Sequence, residues 1–203
     1  MEQQTSPFLV VGLGNPGREY RETRHNVGFM VIDQLCKEMG ISMSRVQAKA
    51  LVGLGTLEGQ RVVLAKPQTF MNLSGQAIGG LMRFYKVPLN QLIVAHDDLD
   101  LPLGTIRVRP GGGSAGQKGV ASTIQQLGTQ EFARLRFGIG RPPGQMDPSA
   151  YVLQRFSNAE LETLNLVLEL TVAVVRTFIR EGITAAMNQY NGSGRSSSMV
   201  EKK

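Results

Sequence analysis

A chain of 203 residues, 41% of them hydrophobic, suits one domain around one sizeable core. Its single cysteine, Cys36, excludes an internal disulfide framework and any cysteine-rich zinc site, and no apolar run approaches the ~18 residues of a membrane span. The formal net charge of +6 suggests a polyanionic partner, and the start MEQQTSPF, which lacks the parts of a signal peptide, predicts a soluble cytoplasmic protein.

Residues 1–6 read as a frayed lead-in, and Phe8 to Leu13 as a first strand. Gly12, Leu13, Gly14, Asn15, Pro16 and Gly17 then form a turn, and a polar, Arg-rich loop delivers His25 and Asn26 to a helix start near Thr23. Val27, Met30, Val31, Leu35 and Met39 recur with near-helical spacing up to Gly40, where a C-terminal glycine belongs. Leu51 to Leu57 and Arg61 to Lys66 predict a hairpin, which would make the sheet mixed. After Pro67 comes a loop, Gln68 to Asn72, and then a helix from Leu73 to Tyr85 whose Ala77, Gly79 and Gly80 would let it lie close to the sheet.

The nearly continuous apolar run Leu92 to His96 predicts a central strand that leads directly into Asp97, Asp98, Leu99 and Asp100. Thr105 to Arg109 and Arg134 to Gly140 alternate as half-buried strands do, pairing Arg107 with Arg109 and Arg134 with Arg136 on one face of each. Between them lie the loop PGGGSAGQKG, residues 110–119, and a helix Val120 to Leu127. Residues 141–150, with three prolines, suit a surface loop or lid. Ser157 and Glu160 form a capping box for the longest helix, which runs to about Glu181 before Gly182. A short helix, Ile183 to Tyr190, precedes a Gly/Ser/Lys tail, 191–203, expected to be disordered. Strands interleaved with helices, plus one hairpin, predict an α/β fold: a single domain over 1–190 with a twisted mixed β-sheet and helices on both faces.

Gly12, Gly14 and Gly17 satisfy G-x-G-x-x-G after a strand, yet a dinucleotide site fails on mechanism. Pro16 removes an N–H donor, the helix opens too late, and the nearest acid, Asp33, falls inside that helix. Only two histidines are available for acid–base work near neutral pH. His25 lies beside the glycine turn, and Asp97 ends a strand at the edge where open α/β sheets gather ligand groups, so the two suit a base and its orienting partner. Capping or packing at the helix start is an equal reading of His25 on sequence alone. His96 reads as a structural histidine, and no spacing supports a metal site or a cofactor. No G-x-S-x-G elbow supports a serine hydrolase.

Tyr20, Thr23, Arg24, His25, Asn26 and Gly28 match an aromatic followed by Ser/Thr-Arg-His-Asn-x-Gly, and FMNLSG occupies residues 70–75. Together these resemble the bacterial peptidyl-tRNA hydrolase family, whose pattern can be followed from Phe8 to about Tyr190. The resemblance implies hydrolysis of the ester between a peptide and the 3′ end of tRNA, releasing both for reuse in translation and ribosome rescue. It implies His25 as general base on water, Asp97 as its partner, and Asn15 and Asn72 as positioners of substrate and oxyanion. Carboxamides suit that task because they donate and accept without changing charge. On sequence context alone, turn geometry for Asn15 and a helix cap for Asn72 are the commoner uses.

By the same resemblance Tyr20, Met71 and Gly116 line the crevice, while Arg109 and Arg136 offer cations to the tRNA 5′ phosphate. It further implies a monomer without metal or cofactor, the tRNA acceptor end being the partner. Gly116, Gln117, Lys118 and Gly119 depart from the usual Gly-His-Asn-Gly, placing Lys118 where a crevice Asn is common; its cation would attract tRNA phosphate. A non-catalytic RNA-binding relative is the alternative that this departure raises.

Overall fold

The computed structural model describes residues 6–191, so the rest of the expected lead-in and the tail from 192 onward lie outside the described residues. Among these residues seven strands form one sheet: β1 Phe8–Gly12, β2 Arg45–Gln47, β3 Ala50–Leu57, β4 Gln60–Pro67, β5 Leu92–Asp98, β6 Ile106–Arg109 and β7 Ala133–Gly138. Their order is β2-β3-β4-β1-β5-β7-β6. The middle four are parallel, and the outer pairs, β2 with β3 and the β3–β4 hairpin on one side and β6 with β7 on the other, add the antiparallel part of a mixed sheet.

Among the described residues six α-helices cover it: α1 Val27–Met39, α2 Ser74–Tyr85, α3 Lys118–Leu127, α4 Pro148–Val152, α5 Asn158–Glu181 and α6 Ile183–Tyr190. Alternation along β1 divides the core. Leu9 and Val11 pack with Ile78 and Leu81 of α2 and Val120 of α3, whereas Val10 packs with Val31 and Leu35 of α1 and Val175 and Phe178 of α5. Helices on both faces of a mixed α/β sheet are therefore as the sequence predicts.

Several local expectations change. The glycines of α2 face away from the sheet: an added Cβ would lie 2.1 Å from the Ser122 carbonyl oxygen at Gly75, 2.9 Å from Gln126 at Gly79 and 2.8 Å from Ala48 at Gly80. They permit a close crossing of α2 on α3 and on the turn between β2 and β3, while Ala77 is buried in the core. β5 continues two residues past His96, so that Asp97 and Asp98 are strand residues, buried and alternating in direction. The Pro-rich segment contains α4, capped by Asp147, whose carboxylate accepts from Ser149 N–H, with Pro148 in its first turn. Asn191, which composition assigns to the tail, lies along β6: its side chain accepts from Val108 N–H at 2.7 Å and donates to the Val108 carbonyl at 2.8 Å. The capping box of α5 is formed as predicted, and Gly40 is the left-handed cap of α1. Among the described residues, no helix is long and apolar enough to cross a membrane.

Candidate active site

β1 connects through α1 towards β4 on one side, while β5 lies on its other side, so a crevice opens at the carboxyl ends of β1 and β5. It has a volume of about 750 Å³. Asn15, His25, Met71, Asn72, Asp97, Gly116 and Lys118 all line it, joined by Phe70, Leu99, Gln117, Arg141, Asp147, Val152 and Leu153.

His25 occupies a single tight turn, Arg24–Asn26, immediately before α1. That turn sits hard against the sheet because residue 28 is glycine. A Cβ there would lie 2.4 Å from Leu13 N and 2.5 Å from the Ala95 carbonyl oxygen, so any side chain would push the helix start off the β1 and β5 ends. His25 Nδ1–H donates to Asp97 Oδ2 at 2.8 Å, with the two side chains 13% and 4% exposed. This bond fixes the neutral tautomer in which Nε2 carries the lone pair. Helix capping, the ordinary alternative for His25, is not its role, since α1 has no side-chain cap bond.

Asn26 stands at the cap position of α1 but spends its side chain elsewhere. Its Oδ1 accepts from Asn15 N–H and its Nδ2 donates to the Asn15 carbonyl, both at 2.9 Å. The glycine turn is thereby clamped to the residue after His25. Asn15 Oδ1 then accepts from Met71 N–H at 2.8 Å, leaving its amide donor group towards the crevice without a partner among the described residues. Asn72 is exposed in the turn Met71–Leu73; the cap of α2 is Leu73, so capping is not Asn72's role either.

Arg24 is a buried residue for which periodicity gives no signal. Its guanidinium donates to Glu160 Oε1 at 2.9 Å and Oε2 at 2.7 Å, also donates to the Arg155 carbonyl, and lies 4.6 Å and 5.0 Å from the ring centres of Tyr151 and Phe156. Burial works against the Glu160 charge, but the N–H and hydroxyl of Ser157 and the Arg24 cation outweigh it, holding the carboxyl below its ordinary range. The cap of α5 thus also anchors the turn that carries His25.

The remaining candidates divide. Tyr20 is not among the residues lining the crevice; it is half-buried in a neighbouring turn, where its carbonyl accepts from Thr23. Met71 is buried in the crevice wall. Lys118 opens α3 at the crevice rim and, after two hydrogen bonds from Ser149, helps hold the Asp147 carboxyl low. Arg109 and Arg136 lie outside the crevice on β6 and β7. The strand register sets Arg107 opposite Arg136 and Arg109 opposite Arg134, gathering four guanidinium groups on one sheet face. Arg134 is buried and donates to the carbonyls of Gly112, Gly113 and Gln130, while Arg136 Nε donates to Asp98 Oδ2 at 2.6 Å. Arg109 is exposed. Among the described residues, no cluster of three or more His, Cys, Asp or Glu side chains is arranged to hold a metal ion.

His96 is buried as the sequence suggests. Its Nδ1–H donates to the Asp97 carbonyl at 2.8 Å, but Nε2 has no partner among the described residues. Burial lowers its pKa, against the opposing pull of Asp97 and Asp98 and with a smaller push from Arg134. The unfolded chain therefore takes up a proton first as pH falls through about 6.5, and stability declines from there towards the lower folded value. His96→Asn, which preserves the donor, is expected to flatten the slope of unfolding free energy between about pH 7 and pH 5, read by urea titration at each pH. An unchanged slope would assign that dependence to other groups.

Comparison with known proteins gives the family. A family model described as peptidyl-tRNA hydrolase matches residues 9–199. A peptidyl-tRNA hydrolase of Chloroflexus aggregans is 49% identical over 91% of this chain and 98% of its own length. A chloroplastic peptidyl-tRNA hydrolase of Arabidopsis thaliana is 48% identical over 91% of this chain, which spans 65% of that longer protein. The crystal structure of the Acinetobacter baumannii peptidyl-tRNA hydrolase superposes with a TM-score of 0.86 at 34% identity, covering 95% of this chain and 98% of that one. Matched by the family model and by these relatives along nearly its whole length, the chain belongs to the peptidyl-tRNA hydrolase family.

Proposed function

We propose that this enzyme cleaves the ester between a peptide and the 3′-terminal ribose of tRNA, with His25 as general base. The observation that carries the reading is the 2.8 Å His25–Asp97 bond, which leaves Nε2 as a proton acceptor in a crevice of substrate size. Nε2 takes a proton from water as the oxygen attacks the ester carbonyl. The charge that grows on the carbonyl oxygen meets amide donors: Asn15, whose acceptor end is already held by Met71 N–H, and Asn72. Such donors contribute roughly 10²-fold to 10³-fold in acyl transfer. Collapse of the intermediate expels the ribose oxygen, which recovers the proton from His25, and tRNA and peptide separate.

Phe70, Met71, Leu99, Val152 and Leu153 give the crevice an apolar wall for peptide side chains. Lys118 at the N-terminus of α3 adds a full charge to the partial positive charge of the helix end and attracts the acceptor-end phosphates. Arg109 and the terminal nitrogens of Arg136, whose Nε is tied to Asp98, serve the 5′ phosphate outside the crevice. The same reading makes the enzyme a cytoplasmic monomer that returns tRNA to translation. No observation favours a non-catalytic RNA-binding role.

The deciding experiment is release of tRNA from an N-acetylated aminoacyl-tRNA beside an unacylated control; absence of turnover on the acylated substrate would end the proposal. Within that assay Arg109→Ala and Lys118→Asn are each expected to raise KM roughly 3-fold to 10-fold at low salt, with a shallower salt dependence and little change in kcat. A salt dependence identical to the unsubstituted protein would remove the residue concerned from phosphate binding.

A further inference from the structure

We infer that Gln117 is a positioning residue for catalysis, holding the second oxygen of Asp97 and thereby setting the aim of His25. The inference rests on the reading of His25 as the base.

Asp97 is buried and uses Oδ2 for His25, so its other oxygen needs a donor of its own. Gln117 Nε2 supplies it, donating to Asp97 Oδ1 at 3.0 Å. The far end of the same amide is equally committed: Gln117 Oε1 accepts from Val120 N–H at 2.8 Å and is the side-chain cap of α3. Rotating the amide by half a turn would set oxygen against the Asp97 carboxylate and NH₂ against an N–H, so its orientation is determined from both sides. A continuous line results, from the N-terminus of α3 through Gln117 and Asp97 to His25. The positive end of the helix polarises the amide and strengthens its donation.

Two consequences follow for the chemistry. The carboxylate plane is pinned by donors on both oxygens, which keeps Oδ2 aimed at Nδ1 and the imidazole aimed into the crevice. The Asp97 charge is also shared between two donors, so neither carboxylate oxygen is left buried without a partner. An amide does not titrate, so this setting is the same at every working pH.

The role separates from helix capping by choice of variant. Gln117→Ser retains an excellent cap for α3 but cannot span the distance to Asp97, whereas Gln117→Leu loses both functions. Hydrolysis of an N-acetylated aminoacyl-tRNA is measured for both across pH, beside thermal unfolding and an inactive His25→Ala control. Gln117→Ser is expected to keep its unfolding temperature while kcat falls roughly 10-fold to 100-fold, with KM within about twofold. Gln117→His, whose ring N–H can donate to Asp97, should recover most of the lost kcat. Full kcat in Gln117→Ser would reduce Gln117 to a cap and overturn the inference. Turnover persisting in His25→Ala would instead overturn the assignment of the base, and the inference with it.

Discussion

His25→Ala is expected to lower kcat on an N-acetylated aminoacyl-tRNA by roughly 10³-fold while tRNA affinity stays within about twofold. The size follows from what the side chain does: its removal takes away the proton acceptor and leaves the carboxamides and the crevice in place. The fold should survive, because the turn around His25 is held by other residues. Asn26 clamps the glycine turn, Arg24 docks on Glu160, and Arg24 N–H donates to the Gln154 carbonyl at 2.9 Å. Asp97→Asn is the informative companion. Its amide can turn NH₂ towards Nδ1 and stabilise the wrong tautomer, so a large loss of kcat without loss of binding is again expected. A His25→Ala enzyme within tenfold of the unsubstituted rate would exclude His25 as the base. Substrate binding measured by competition with uncharged tRNA separates lost chemistry from lost affinity.

Arg24→Ala is expected to cost about 3 kcal/mol of stability, at the low end for breaking a buried ion pair because Glu160 keeps its two bonds from Ser157. The guanidinium also contributes contacts to two aromatic rings and a bond to the Arg155 carbonyl, none of which alanine replaces. For a domain of this size the loss corresponds to roughly 6–12 °C in unfolding temperature. Arg24→Lys should recover only part, since one ammonium cannot stand in at once for Nη2 on the Glu160 oxygens and Nη1 on the Arg155 carbonyl, nor lie flat against the two rings. Calorimetry of the three proteins tests this; an Arg24→Ala protein melting within about 2 °C of the parent would show the pair to be energetically idle. The same cap leaves Glu160 with a lowered pKa, so its contribution is complete above the ordinary carboxylate range and is lost as acid protonates the folded carboxylate.

The elements that could be read in advance are those whose cause is local. β3 and β4 flank a two-residue turn, α5 begins with Ser157 and Glu160, and α1 stops at Gly40; neighbouring residues determine each of these. Two elements escaped. β2 has three residues, one of them the exposed Val46, and pairs because β3 offers an open edge. α4 hid within a Pro-rich stretch, although Asp147 followed by Pro148 is an ordinary start signal.

The amino-acid sequence by itself determined the α/β class, the family resemblance, and His25, Asp97, Asn15 and Asn72 as candidates. What only the tertiary structure decided was how they are held: Asn26 on Asn15, Arg24 on a glutamate 136 residues away, and Gln117 on Asp97. It also left Tyr20 outside the crevice and tied Arg136 to Asp98. The physical reason is reach. Hydrophobic periodicity and capping act over one or two turns of chain, whereas a side-chain hydrogen bond of about 3 Å exists only after strand order has brought β1, β5 and the α3 terminus to one edge.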